Sequence, residues 1–258
     1  MDDRPNIILS PHFDDAVFSL GGFIAASPDR AVVVTVFAGS PADNVTGRWD
    51  RRSGFKTAAA AMRTRARENE AALSVLGVPP GHVVNLDFLD DQYRAAPVAQ
   101  LLTAIADAIS GLVSDFNGSI NLFTPASDWH PDHRLVTDAV ITAWSAGRLL
   151  DTEVFLYQDQ PYAYLELRKR SLTPLRFAAF SGAANHCRVP AEPHWLEFDE
   201  TANAKKRQAA AQYKSQFPVI RPLLCKMIDD FSRYQTHAAG RTAHRAELAY
   251  RLVSASRS

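Results

Sequence analysis

Along its first 157 residues the chain alternates short apolar runs with longer amphipathic stretches. Asn6–Leu9 is an apolar run and Asp15–Ala26 an apolar segment of helical length, with a Gly21-Gly22 pair that reads as a close-packing or bending feature. Ala31–Phe37 (AVVVTVF) is β-branched and apolar on both faces, as a central parallel strand requires. Thr57–Leu76 is rich in Ala and charged residues and stops at Gly77, ahead of a Pro-Pro-Gly turn. Val83–Leu86, Ile120–Thr124 and Val154–Tyr157 read as three further strands, with helices over Val98–Phe116 and Pro131–Ser145. Strands alternating with helices predict an α/β fold: a Rossmann-like, doubly wound, mostly parallel sheet with helices on both faces. Beyond Gln158 the prolines at 161, 174, 190 and 193 interrupt the pattern, and Thr201–Gln212 and Ala243–Val253 read as helices of a C-terminal cap. No repeat or linker composition marks a boundary, so one domain is expected over 1–258, with its core in 1–157 and cap segments in 158–258.

Composition narrows the function classes. The 28 basic and 28 acidic residues cancel, and 47% hydrophobic with 22% charged residues is ordinary for a globular chain, so nothing points to nucleic acid or an anionic membrane. No apolar run is long enough for a membrane span, and Met1–Arg4 is acidic, unlike a secretory leader. The two cysteines, Cys187 and Cys225, have no metal or redox spacing and read as buried free thiols. A cytoplasmic enzyme acting on a small molecule fits these features, and homo-oligomerisation is left open.

In open parallel sheets, chemistry collects in the loops beyond the carboxyl ends of the strands. The loop after the first strand carries His12, Asp14 and Asp15; that after the fourth, Thr124–Arg134 (TPASDWHPDHR), carries Asp128, His130, Asp132 and His133. In a doubly wound sheet these two loops face one crevice. Three ligands of the imidazole and carboxylate type with one open position define a catalytic zinc site, and His12, Asp15 and His133 are the candidates. Adjacent side chains in an extended turn diverge, so of Asp14 and Asp15 one binds the metal while the other faces its water. His130 and His133 lie about one helical turn apart, close enough to share a cavity.

The segment Pro11–Gly22 (PHFDDAVFSLGG) and the distal His-Pro-Asp-His at 130–133 resemble the PIG-L or LmbE-like zinc N-deacetylases. Arg67–Gly77 and Lys206–Gln216 are also similar to family segments, so the likeness runs to about Phe217. The resemblance implies zinc on His12, Asp15 and His133, Asp14 as general base, and His130 as a charged or proton-donating partner. It further implies removal of an acetyl group from an N-acetylated amino sugar or glycoconjugate. Iron(II) suits the same donors. Arg67, Trp129 and Asp128 are the candidate substrate contacts, with Trp129 preferred over Trp49 as a platform for a sugar ring. The chain departs from the family pattern at Phe13, where Pro is usual, and at Ala16, often Glu; neither is a ligand. Two alternatives stand beside this reading: an amidase acting on another small acylated intermediate, and a catalytically silent glycan-binding module of the same fold.

Overall fold

A computed structural model describes residues 3–42, 45–95, 97–126, 129–165, 190–216, 236 and 245–253. Asp128, Cys187 and Cys225 therefore lie outside the described residues. Seven strands form one sheet in the order β3-β2-β1-β4-β5-β7-β6. Strands β1 (Asn6–Ser10), β2 (Ala31–Thr35), β3 (Val83–Asn85), β4 (Ile120–Ala126) and β5 (Thr152–Gln158) run parallel. β6 (Ala191–Phe198) and β7 (Arg245–Leu252) complete the sheet with antiparallel pairings. Every residue of β1 and β2 is buried, which explains their unbroken apolar character.

Between the strands run α1 (Asp15–Ala26), α2 (Arg48–Arg52), α3 (Ala58–Leu76), α4 (Val98–Ser114), α5 (Pro131–Ser145) and α6 (Glu200–Ala210). α1, α3 and α6 pack together on one face of the sheet, α4 and α5 on the other. Adjacent strand residues divide between the two faces as the pleat requires. Ile8, Phe123 and Phe155 join Phe18, Phe23 and Tyr213 in one core, and Ile7, Leu122 and Leu156 join Ile109 and Val136 in the other. Local signals set the helix ends. Thr57 Oγ1 accepts from the Ala60 amide to start α3, and Gly77, at φ +93°, supplies the left-handed residue that ends it.

The sheet corrects two expectations in the C-terminal third. The segment read as a helix over Ala243–Val253 is strand β7 across Arg245–Leu252, inserted between β5 and β6. Its Ala, Glu and Leu content favours a helix, but pairing on both sides overrides propensity: Leu248, Tyr250 and Leu252 enter one core while Glu247 and Ala249 turn to the other face. β6 was hidden by Pro193, which a strand tolerates at the edge of a sheet, where β6 lies.

β7 also explains the Gly21-Gly22 pair. α1 kinks at Leu20 (φ −121°, ψ 17°), and the Glu247 carboxylate accepts from the freed Gly22 and Phe23 amides at 3.1 and 3.0 Å. Lys206 Nζ of α6 neutralises that carboxylate at 2.6 Å, with both side chains at most 5% exposed. A Cβ on Gly22 would lie 2.3 Å from the Phe198 ring, so strand β6 packs where only hydrogen fits.

Candidate functional site

β1 has β2 on one side and β4 on the other, so the chain reverses its direction of winding there and the loops after β1 and β4 open onto one crevice. Three donor atoms meet in it. His12 Nδ1 lies 3.3 Å from Asp15 Oδ2, His133 Nε2 lies 3.2 Å from the same oxygen, and the two imidazole nitrogens are 3.2 Å apart. Tetrahedral bonds of about 2.0–2.1 Å need donor separations of about 3.3–3.4 Å, so this near-equilateral triangle matches one face of a zinc-sized coordination sphere.

Two further carboxylates stand behind the imidazoles. Asp132 Oδ2 is 3.0 Å from His12 Nε2, and Asp159 Oδ2 is 2.7 Å from His133 Nδ1. Each is placed to hold the proton of the outer ring nitrogen, so that a metal would need to displace only the inner one. Three overlapping sets in this cluster bring ligand atoms close enough to share an ion: His12, His130 and His133; His12, Asp90 and Asp132; and Asp15, His133 and Asp159. Asp132 and Asp159, which belong to two of these sets, are engaged at the outer ring nitrogens, whereas the His12, Asp15 and His133 triangle uses the inner ones.

Local structure delivers each group. The His12 amide donates to Asp15 Oδ2 at 2.7 Å, closing the turn from β1 into α1. His130 is the N-cap of α5: its Nδ1 accepts from the Asp132 amide at 3.2 Å, Pro131 follows at the first helical position, and His133 stands one turn on. The arrangement leaves the proton of neutral His130 on Nε2. Asp132 is fully buried and also holds the Asp91 amide at 2.9 Å and the Arg94 guanidinium.

Electrostatics separates the two adjacent aspartates. Burial lifts the Asp14 carboxyl to about 7, with the neighbouring Asp15 charge adding to the rise. Burial acts on Asp15 in the same direction, but His133 and His12 outweigh it and hold Asp15 well below the usual carboxylate range. Burial opposes charge on both inner imidazoles, yet Asp132 and Asp15 raise His12 well above its ordinary value, and Asp15 and Asp159 raise His133 to about 10. Burial and the charges of His12 and His133 lower His130 to about 4.

His133 is buried behind His12, Asp14, Asp15 and His130, which line the floor of a cavity of about 670 Å³. Its walls come from the Ala38–Lys56 loop with α2, from α3, and from Pro161 and Tyr162 beyond β5. The cavity revises the expected substrate contacts. Arg67 is exposed and does not line it, whereas Arg65, two positions earlier, does. Met62, Arg65, Asn69 and Ala72 share the buried face of α3, and two positions of helix turn Arg67 to solvent. Arg65 Nη2 pairs at 2.9 Å with Asp50 Oδ1, and the fully buried Asp50 also accepts from Tyr93 Oη at 2.7 Å and the Gly47 amide at 3.0 Å. Trp129 is 53% exposed beside His130 and is not among the lining residues; the tryptophan on the wall is Trp49, whose Nε1 donates to Gln216 Oε1 at 2.7 Å. Phe13 lines the cavity and Ala16 is wholly buried in the core.

Three residues escaped the sequence reading: Asp159, Tyr162 and Arg94. The rule that led to the loops after β1 and β4 applies equally to β5, whose strand ends at Gln158, immediately before Asp159. The Tyr162 ring stands edge-on to His133 at 5.4 Å. Burial, with Asp15 and Asp159 adding to it, keeps its phenol protonated well above the usual range. Arg94 had no signal, because its partner Asp132 is 38 positions away.

Comparison with known proteins identifies the family. The profile of the family described as "PIG-L: GlcNAc-PI de-N-acetylase" matches residues 7–144, from the first strand through the His130–His133 loop. The chain belongs to the PIG-L family. It is 30% identical over 168 residues to 2'-N-acetylparomamine deacetylase of Streptomyces fradiae, covering 61% of this chain and 57% of that protein. It is 27% identical over 152 residues to a probable N-acetyl-alpha-D-glucosaminyl L-malate deacetylase 2 of Bacillus cereus, covering 55% and 62%. The chain thus matches less than two thirds of either relative's length. Among solved structures, the A40926 pseudoaglycone deacetylase superposes with a TM-score of 0.76 at 27% identity, covering 98% of both chains. The family match supports the expected PIG-L resemblance and the α/β architecture together. No described helix is long and apolar enough to cross a membrane.

Proposed function

We propose that this protein is a metal-dependent N-deacetylase that hydrolyses the acetyl amide of an N-acetylated amino sugar or glycoconjugate. The observation that carries this reading is the donor triangle of His12 Nδ1, His133 Nε2 and Asp15 Oδ2, with edges of 3.2–3.3 Å beside a carboxyl poised near neutrality. The donor set suits zinc, with iron(II) as the alternative occupant. A metal held there supplies Lewis acidity to a water and to the amide carbonyl.

The chain's own groups do the rest. Asp14 sits on the cavity floor, close to neutral in pKa, and so can take a proton from the attacking water and return it to the departing nitrogen. Neutral His130 offers its Nε2–H to the developing oxyanion, where a preorganised donor is most effective. Asp132 and Asp159 keep the two imidazoles oriented throughout. A silent binding module would not need Asp14 beside the donor triangle.

The test is acetate and amine release from a panel of N-acetylated sugars by purified protein, with metal content measured in parallel. Turnover should require metal, and Asp14→Asn should lose it while keeping the metal. Full activity after complete metal removal, or an unaffected Asp14→Asn enzyme, would refute the reading.

A further inference from the structure

The wall of the cavity contributed by α2 carries a charge pattern that the deacetylation chemistry does not use. Arg48, Arg51 and Arg52 all line the cavity and all are exposed. Their spacing of i, i+3 and i+4 puts the three guanidiniums on one face of the helix, where like charges repel. Of the residues between them, Asp50 is wholly buried against Arg65, and Trp49, also on the cavity wall, is tied to Gln216. Arg51 donates to the Thr46 carbonyl at 2.6 Å, while Arg48 and Arg52 form no ion pair among the described residues. Four carboxylates share the cavity: Asp15 is engaged with the imidazoles, Asp90 with Gln92 and Asp91 with Arg94, while Asp14 sits on the floor beside the donor triangle. In a chain with no net charge, a cluster of cations on one wall of the cavity is a local asymmetry that needs a counter-charge.

We infer that the substrate bears an anionic group, a phosphate or a carboxylate, which lies against the α2 arginines while its N-acetyl group occupies the floor. This deepens the proposed deacetylase function and rests on it for the identity of the reacting group. Guanidinium pairs suit either anion, because both present two acceptor oxygens to the planar fork. The three arginines act on binding, not on the reacting amide.

The test compares three probes that share the N-acetylglucosamine unit: its 1-phosphate, its 3-O-lactyl ether carrying a carboxylate, and its neutral methyl glycoside. In the wild-type enzyme kcat/KM should favour an anionic probe over the neutral one by about tenfold or more, chiefly through KM. The advantage should shrink as salt rises from about 0.05 to 0.5 M, because exposed charges are screened. In R48Q/R52Q the ratio of anionic to neutral kcat/KM should fall by roughly 3- to 20-fold, from two exposed pairs. The phosphate and carboxylate arms identify which anion is preferred. Calorimetric binding of the same probes to metal-loaded Asp14→Asn separates this inference from the chemistry. A charge preference in binding without turnover in the wild type would support the arginine site and sink the deacetylase reading. Equal handling of charged and neutral probes, an unchanged ratio in R48Q/R52Q, or binding of none of them would overturn the inference. Circular dichroism of R48Q/R52Q confirms that the exposed substitutions leave the fold intact.

Discussion

Replacing Asp159 tests whether the site depends on the carboxylate behind His133. The two side chains are each 1% exposed and 2.7 Å apart, so solvent screens little of their interaction. A hydrogen bond to a charged partner contributes about 1.5–3 kcal/mol, and loss of such a supporting group typically weakens metal binding roughly 10- to 100-fold. Asp159→Asn keeps an acceptor but not the charge and should fall near the lower end; Asp159→Ala should approach the upper. The pH dependence adds a second readout. In the metal-free protein His133 holds its proton up to about pH 10, so a metal must displace that proton and its apparent affinity climbs with pH. Removing Asp159 lowers the His133 pKa and flattens the climb. Competition against a fluorescent zinc chelator at about pH 6.5 and 8.5 measures both effects. Wild-type affinity and an unchanged pH slope in both variants would refute the reasoning.

Three other outcomes follow from the geometry. Because Asp14 must be ionised to act as a base and its pKa is raised to about 7, kcat/KM should be lost as pH falls through an acid limb near pH 7; Asp14→Asn should remove roughly 100- to 10,000-fold of activity, and a pH–rate profile without that limb in the wild type would count against Asp14. Gly22→Ala should destabilise the protein by about 1–3 kcal/mol through the clash with Phe198, measured by urea unfolding, and Phe198→Leu in the same chain should recover part of the loss. Arg67→Ala should leave kcat/KM within about twofold, as expected of an exposed position off the cavity, whereas Arg65→Ala strands the buried Asp50 and should cost about 3–5 kcal/mol in stability.

The parts of this fold that could be read from the sequence are those whose signal is local. β1 and β2 announce themselves by continuous burial, α3 by its Thr57 cap and Gly77 stop, and the two chemistry-bearing loops by their place after parallel strands. What could not be read is set by distant partners. β7 looks helical until β5 and β6 pair with it, and β6 looks broken until it is recognised as an edge. Arg65 and Arg67 differ only in which side of α3 faces the cavity, a choice made by Asp50 and Tyr93 on other segments. The short family-like segments 67–77 and 206–216 proved to be neighbours: Glu68 accepts from the Ser215 amide at 2.8 Å, and Tyr213 reaches the Asn69 side chain at 2.9 Å.

The carboxylate of Glu247, which closes the kink in α1, ties the two ends of the described chain across 225 positions. On a ribosome the His12–Asp15 turn therefore emerges long before the strand that braces its helix is made. The kinked α1 cannot be locked until β7 is in the sheet, so the donor triangle of His12, Asp15 and His133 should mature late, at the close of folding rather than as a nucleus for it. Hydrogen exchange would record this order: the Gly22 and Phe23 amides should gain protection together with β7, after the parallel strands have acquired theirs.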